Sequence, residues 1–437
     1  MTSMHAIAID LGTTTLAVSL VDTVQNTRLA MAGAMNPQRR FGADVVARLD
    51  AALKSDEALQ EMARLVREEL LRLAGTVCGK AAIAWDSVRR VAIAGNPAMQ
   101  HILLELPVRS LALPPYRPLN TGGQRITASD LDWPGTAEVY IFPMPGGFVG
   151  GDTVAFLYGQ LENQAKAEVK TERNSPAPTF SSTLFLDMGT NGEMALLSGE
   201  AIWATSAAAG PAFEGGNLSC GMAALPGAIS SVRITDERIK LAVIGDVPPI
   251  GICGSGAIEV VHELLGLGVI DPTGRLLDSR EIDSNLANRV VVHNKENAFV
   301  LHRDAGNMLL LTQSDIRQVQ LAKAAIRAGL EVLAGRSCIR CQALKEVVLT
   351  GSFGAVLQPE WLKTIGIFDE AMVHITRFTP EGALAGAEKM LCTQNGIRSV
   401  EELASRLRVV PLSGTPLFEK LFMQHMNFPQ YLRHHSP

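Results

Sequence analysis

Asp10-Leu11-Gly12-Thr13-Thr14-Thr15 sets a carboxylate beside a glycine and three hydroxyls within six residues. The glycine permits a turn tight enough to bring backbone N–H groups close to an anion, and the hydroxyls add donors, so the segment has the chemistry of a phosphate cradle. A second copy follows at Asp187-Met188-Gly189-Thr190-Asn191-Gly192-Glu193. Carboxylates at the ends of two matching strands could face one Mg2+ and its phosphates, because that ion prefers octahedral oxygen coordination with several retained waters. A third segment, Thr350-Gly351-Ser352-Phe353-Gly354, follows the strand-like Glu346–Leu349. Its glycines allow close backbone approach, and a following helix terminus would add N–H donors, which suits a base and ribose pocket. Each segment alone reads equally as a tight hairpin or an ordinary strand-to-loop junction. In this order the three describe a nucleotide site.

The surrounding pattern supplies elements that could position them. Apolar residues 7–9 and 16–21 flank the first turn as a hairpin, and residues 183–198 repeat that organisation around the second, which suggests two lobes of one ancestry with a nucleotide cleft between them. Residues 44–73 carry apolar positions at helical spacing, and 88–96 read as a buried strand ending at Gly95 and Asn96, with Pro97 opening a helix. A helix over 152–164 precedes the polar, Pro-bearing segment 165–182, where the lobe boundary is placed: an N-terminal lobe at 1–165 and a C-terminal lobe at 166–437. The second lobe carries a β-rich insertion near 289–312, then a long helix that Ser314 could cap. The fold class is α/β and two-lobed.

The bulk composition fits this picture. The chain has 437 residues, of which 47 % are hydrophobic and 19 % charged, enough for more than one core at about 150 residues per domain. A formal net charge of −5 argues against nucleic acid as main partner. No apolar run reaches the roughly 18–20 residues of a membrane span, and MTSMHAIAID has no signal-peptide layout, so a cytoplasmic location is expected. The six cysteines are scattered, which disfavours a disulfide framework.

The order of the three segments resembles the phosphate-1, phosphate-2 and adenosine elements of the actin-like ATPase superfamily. More narrowly, AIDLGTTTLAVSLVD, MNPQRRFGADVVARL, AGNPAMQHILL, GFVGGDTVAFLYG, LDMGTNGEMAL, AAGPAFEGGNLSCGMAALPGAI, GICGSGAIEVV and QVQLAKAAIRAGLEVL resemble the ATPase portion of the reductive activators of corrinoid proteins, over residues 5–428. That resemblance implies ATP hydrolysis coupled to one-electron reduction of a Co(II) corrinoid to Co(I). It implies phosphate contacts from Gly12, Thr13, Thr14, Thr15, Gly189, Thr190, Asn191 and Gly192, nucleoside contacts from Gly351, Ser352, Phe353 and Gly354, and Mg2+ positioned by Asp10 and Asp187. Asp152, at the start of the inter-lobe helix, becomes the candidate general base, with Glu193 its competitor and a helix N-cap the plainer role.

Members of this family resemble a ferredoxin-type iron–sulfur domain joined to the ATPase, and no cysteine cluster stands at either end of these residues. The implied electron source is a separate ferredoxin or another low-potential donor, or the chain is the ATPase half of a larger protein. Cys338-Ile339-Arg340-Cys341 offers two of four cluster ligands, so an iron–sulfur cluster there would need sharing across a homodimer; a structural pair is the simpler expectation. A small-molecule kinase or a regulatory nucleotide-binding module of the same superfamily are the alternative functions.

Overall fold

A computed structural model describes residues 4–171, 182–199, 201–351, 353 and 357–430. From the N-terminus, β1 (His5–Leu11), β2 (Thr15–Asp22) and β3 (Thr27–Met35) form an antiparallel meander. Helices α1 (Val45–Lys54) and α2 (Asp56–Lys80) follow, then β4 (Val88–Gly95), α3 (Pro97–Leu103), the short α4 (Arg109–Ala112), β5 (Gln124–Thr127), β6 (Glu138–Ile141) and α5 (Gly151–Thr171). The helical run expected over 44–73 is two helices: Asp44 caps the first, and Ser55 stops it and caps the second. Segment 165–182 was expected to be loop, but α5 continues to Thr171; residues 172–181 lie outside the described residues.

Next come β7 (Thr183–Met188), β8 (Gly192–Ser198), β9 (Ala201–Ala207), β10 (Ala228–Thr235), β11 (Arg238–Val243), β12 (Gly251–Ile252) and α6 (Gly254–Gly266). The meander β13 (Val290–His293), β14 (Glu296–Arg303) and β15 (Met308–Thr312) occupies the stretch expected to be a β-insertion. It runs into α7 (Gln313–Ser337), whose cap is Thr312 in a reciprocal box with Asp315; Ser314 instead donates its hydroxyl to Glu296. The chain closes with β16 (Glu346–Thr350), α8 (Pro359–Thr364), α9 (Glu370–Val373), β17 (Thr376–Phe378), α10 (Gly382–Cys392), α11 (Gly396–Arg406), β18 (Leu407–Val409) and α12 (Pro416–Gln424). The sheet orders are β3-β2-β1-β4-β6-β5, β11-β10-β12, β13-β14-β15 and β17-β16-β7-β8-β9-β18.

Two compact units emerge. Unit 1 comprises Met1–Ser181, Ala195–Thr205 and Glu381–Val410; unit 2 comprises Ser182–Met194, Ser206–Pro380 and Pro411–Pro437. Unit 1 is therefore discontinuous and includes α10 and α11, a stretch assigned from sequence to the C-terminal lobe.

In unit 1 β4 lies parallel to β1 and β6 parallel to β4, so three strands end at the same edge, where open α/β sheets hold their ligands. One face of the sheet is covered by α2, whose Met62, Val66, Leu70, Leu73 and Val77 recur at helical spacing and pack among Ile7, Ile9, Val18 and Leu20. Full burial of each such side chain contributes about 1.5–3 kcal/mol. Helices α5 and α10 pack on one another, and α10 lies on β1, β4 and β2. Their crossing depends on two glycines: a Cβ on Gly386 would lie 1.7 Å from the Ala155 carbonyl oxygen, and one on Gly159 would lie 3.0 Å from the Gly386 Cα. Backbone atoms cannot yield as a side chain would. Gly386→Val should therefore destabilise the protein by about 1–3 kcal/mol or more, the cost of overpacking a tight core, read as a lower urea midpoint; an unchanged midpoint would refute the close crossing.

Candidate functional site

The first glycine-threonine turn is clamped by two asparagines. Within it a Cβ on Gly12 would stand 2.4 Å from the Thr15 carbonyl oxygen, so only glycine fits. Asn36 lies just past β3 and is fully buried; its Nδ2 donates to the Gly12 carbonyl at 2.9 Å, and its backbone N–H donates to the Thr14 carbonyl at 2.8 Å. Asn96 follows β4, and its Nδ2 donates to the Thr13 hydroxyl oxygen at 2.9 Å. The amide orientations are fixed by what the other end does. Asn36 Oδ1 accepts from the Gln38 N–H and Asn96 Oδ1 from the Met99 N–H, each as the N-cap of a Pro-initiated helix. Only the NH2 of each asparagine can therefore face the turn. Behind Asn36, the buried Arg48 guanidinium donates to the Gly42 carbonyl at 3.0 Å and approaches Gln38 Oε1 at 3.4 Å.

This arrangement gives Thr13 a direction. Its hydroxyl oxygen accepts the Asn96 amide, which leaves its own proton to donate, as an anion requires. Asp10 sits at the end of β1 in register with Ala94 of β4, half-buried, with Thr14 and Thr15 half-buried beyond it. The residues present thus fit phosphate on the donor side.

Asp152 stands in the first turn of α5 rather than at its cap; its Oδ1 accepts the Thr153 N–H at 2.7 Å. Two glycines press that turn against the end of β4: a Cβ on Gly150 would lie 2.6 Å from the Asn96 Cα, and one on Gly151 would lie 2.4 Å from Gln100 Nε2. The backbone just before Asp152 is thereby packed against the residue that clamps Thr13. Burial pushes its pKa up to about 6, against the pull of its hydrogen bonds to Thr153.

Unit 2 carries the second turn. Parallel strands β7 and β16 place Asp187 opposite Thr350, so the turn after β7 and the loop after β16 share one edge. A Cβ on Gly351, at φ +145°, would meet the Met188 carbonyl oxygen at 2.4 Å and the Phe353 ring at 2.3 Å, which makes glycine obligatory there. The Phe353 ring is buried and 6.4 Å from that of Phe378, while its carbonyl accepts the Ser255 N–H of α6 at 3.0 Å. Among the described residues the next helix after this loop begins at Pro359. Ser352 and Gly354 lie outside the described residues.

In the turn itself the Gly189 N–H donates to the Asn191 carbonyl at 2.9 Å, and the Thr190 hydroxyl donates to Glu214 Oε2. Gly192 makes room for α7, since a Cβ there would lie 2.7 Å from Ile326 Cγ1. Glu193, half-buried on β8, accepts from the Ser206 hydroxyl at 3.4 Å. Glu214 itself ends the short 3-10 turn Pro211–Glu214, over which α6 packs so closely that a Cβ on Gly254 would fall 1.7 Å from the Phe213 carbonyl oxygen.

The cysteine pair stands apart from these groups in character. Cys338 is exposed in a left-handed conformation ending α7, and burial raises the pKa of the free Cys341 thiol. Among the described residues no group of three or more His, Cys, Asp or Glu could hold a metal ion. Among them too, no helix is long and apolar enough to cross a membrane.

Sequence reasoning missed Asn36, Asn96 and Glu214. The signal for the first two was present: both are Asn-Pro dipeptides placed just after a strand. Asn96→Ala should weaken ATP binding about tenfold, the scale of one hydrogen bond holding a donor in place. Asn96→Asp should weaken it further, because a carboxylate there would draw the Thr13 proton inward. Calorimetric titration of the variants would check the order, and an Asp variant that binds better than the Ala variant would refute it.

Comparison with known proteins places the chain. The family model described as the C-terminal domain of RACo, the ASKHA domain, matches residues 181–436, and that described as the RACo middle region matches residues 5–163. The chain is 31 % identical over 435 residues to the corrinoid activation enzyme RamQ of Eubacterium limosum, covering 97 % of this chain and 70 % of that protein. It is 25 % identical over 439 residues to the [Co(II) methylated amine-specific corrinoid protein] reductase of Methanosarcina barkeri, covering 92 % and 73 %. A solved structure of a reductive activator for corrinoid, iron–sulfur protein superposes with a TM-score of 0.86 at 29 % identity, over 98 % of this chain and 66 % of that one. The chain thus spans 66 % of the solved relative's length, just under two thirds, and 70 % and 73 % of the two curated ones. With an actin-like α/β fold and matches along nearly its whole length, the chain belongs to the family of reductive activators of corrinoid proteins.

Proposed function

We propose that this chain hydrolyses Mg2+-ATP and couples the hydrolysis to one-electron reduction of a Co(II) corrinoid, carried by a partner protein, to Co(I). The observation that supports it most is the clamped turn at Gly12–Thr15, whose Thr13 hydroxyl is oriented as a donor by Asn96. Bound Mg2+ would neutralise phosphate charge and fix the geometry of the transferring group. Gly12, Thr13, Thr14 and Thr15 would hold the phosphates, with Gly189, Thr190, Asn191 and Gly192 contributing the second turn. Asp10 and Asp187 would position the cation through its waters, and the Gly351–Gly354 loop, including Ser352 and the Phe353 main chain, would accept the nucleoside.

Asp152 takes a proton from the attacking water as the bond from the γ-phosphorus to the ADP oxygen breaks. Its raised pKa makes it a better base than an ordinary carboxylate, which favours it over Glu193. Cobalt reduction needs an electron from a low-potential source. A ferredoxin or another low-potential donor supplies it, and the family likeness suggests a homodimer as the working unit. For a one-electron step every 59 mV or so of uphill potential costs a factor of ten in equilibrium. A change driven by nucleotide turnover that alters cobalt ligation or traps Co(I) overcomes that gap.

The decisive experiment follows the visible spectrum of a Co(II) corrinoid protein with reductant, with and without this protein and ATP. ATP-dependent Co(I) formation is expected, and its absence would refute the coupling. Asp10→Ala and Asp187→Ala should each reduce ATP turnover at least tenfold; wild-type hydrolysis in either would remove that residue from the site. Asp152 must be ionised to accept a proton, so turnover should rise with pH through about 6 and then level. Asp152→Asn should keep ATP affinity, lower turnover by about 10²–10⁴ and abolish that acid limb; a retained limb would exclude Asp152 as the base.

A further inference from the structure

Helix α3 carries Asn96 at its cap and, one turn later, Gln100, whose side chain is fully buried. Gln100 Nε2 donates to the Gly95 carbonyl at 2.9 Å, and because a carbonyl only accepts, the amide is fixed with Oε1 turned away. That oxygen is buried and has no hydrogen-bond partner among the described residues. Its neighbours on α3, Ala98, Met99, Ile102 and Leu103, are buried apolar residues, and a methionine of similar length would fill the position without an unpaired side-chain acceptor. Packing alone does not account for a glutamine here. The same amide also meets α5. A Cβ on Gly151 would lie 2.4 Å from Gln100 Nε2, and one on Gly150 would lie 2.6 Å from the Gly95 carbonyl oxygen. Gln100 thus fills the corner between the last carbonyl of β4, which leads to Asn96, and the first residue of α5, which leads to Asp152. The start of a helix leaves N–H groups without intrahelical partners. In α5 the Thr153 N–H is taken by Asp152 Oδ1 and the Val154 N–H by the Gly150 carbonyl, while Gly151, which carries another, is the residue set against the Gln100 amide. A side chain bound at one end to the strand, with an acceptor at the other, suits that turn.

We infer that Gln100 is a positioning residue for Asp152: its carboxamide ties the end of β4 to the first turn of α5 and so fixes where the Asp152 carboxylate stands relative to the Thr13 turn. All of these groups belong to unit 1. The inference rests on the reading of Asp152 as the base in ATP hydrolysis. Being fully buried, Gln100 acts through Asp152 rather than on the nucleotide. A reacting group displaced by about 1 Å can cost on the order of 10² in rate, so a small shift at this corner is enough to be read in turnover.

The test is a double-variant comparison of steady-state ATP turnover. Gln100→Met keeps the length of the side chain and removes both of its polar ends. It should lower kcat about 10–10²-fold and leave KM for ATP within about threefold, because the Thr13 turn is untouched. In an Asp152→Asn background the same substitution should slow turnover no further, since the group that Gln100 places is already gone. That comparison holds even where Gln100→Met lowers the urea midpoint, because a loss of folded protein would multiply with the Asp152→Asn loss rather than vanish into it. Wild-type kcat in Gln100→Met, or losses that multiply in the double variant, would overturn the inference. A rise in KM as large as the fall in kcat would do so too, by showing that the change reaches the phosphate turn. No ATP turnover by the wild-type protein, or wild-type turnover in Asp152→Asn, would instead overturn the reading of Asp152 as the base, and the inference with it; neither result involves a change at Gln100.

Discussion

A threonine hydroxyl has one proton, and the neighbour that takes or spares it decides whether the group can serve an anion or a cation. Much of unit 1 is organised around sparing that proton at Thr13. Asn96 can present only its NH2 to the turn because its carbonyl oxygen is occupied at the start of α3, and Asn36 is held in the same way at the Gln38 N–H. Each asparagine joins a helix start to the Gly12–Thr15 turn, so the turn inherits the rigidity of the elements behind it. The parallel register of β1 with β4, which sets Leu11 beside Gly95, brings Asn96 within reach of Thr13. Gly95 permits that approach, since a Cβ there would stand 2.8 Å from the Leu11 carbonyl oxygen. A buried hydrogen-bond network of this kind is costly to leave half-satisfied, which ties local precision to the integrity of the whole unit.

Unit 2 uses different chemistry on a similar strand-turn-strand frame. Its turn after β7 is bounded by a carboxylate from a distant segment and by the loop after β16, and α6 is pressed down by glycines at both of its first close approaches, to the Phe213 and Ile229 carbonyl oxygens. The same local motif therefore serves two electrostatic environments, set by what each unit brings to the turn.

Local order was readable in the sequence wherever it depended on spacing alone. The two Asp-Gly-Thr hairpins, the meander before α7 and the strand before Gly351 all declare themselves through alternation and turn residues. The asparagines did not, because Asn-Pro announces a helix start, and its second bond depends on a neighbouring strand distant in sequence. Glu214 lay in a recognised motif but acquires its role only from Thr190, 24 residues earlier. Ser314 was the obvious cap for α7, yet β15 runs straight into the helix, so Thr312 is the last extended residue and Asp315 can reach back to it. Ser352 and Gly354, expected from sequence in the nucleoside loop, fall outside the described residues.

The return of α10 to unit 1 has a consequence for biosynthesis. The sheet β3-β2-β1-β4-β6-β5 and helices α1–α5 emerge first, but the helix that lies on β1, β2 and β4 belongs to a segment that starts at Glu381, on the order of 200 residues after Ser181. At about 5–20 residues per second a ribosome needs roughly 10–40 s to cover that distance. Throughout that interval the nascent unit 1 lacks the helix that seals part of its sheet, and the face of α5 around Gly159 has no α10 to pack against. Chaperone occupancy on translating ribosomes should therefore persist until α10 has left the exit tunnel, long after the Gly12–Thr15 turn itself has been synthesised.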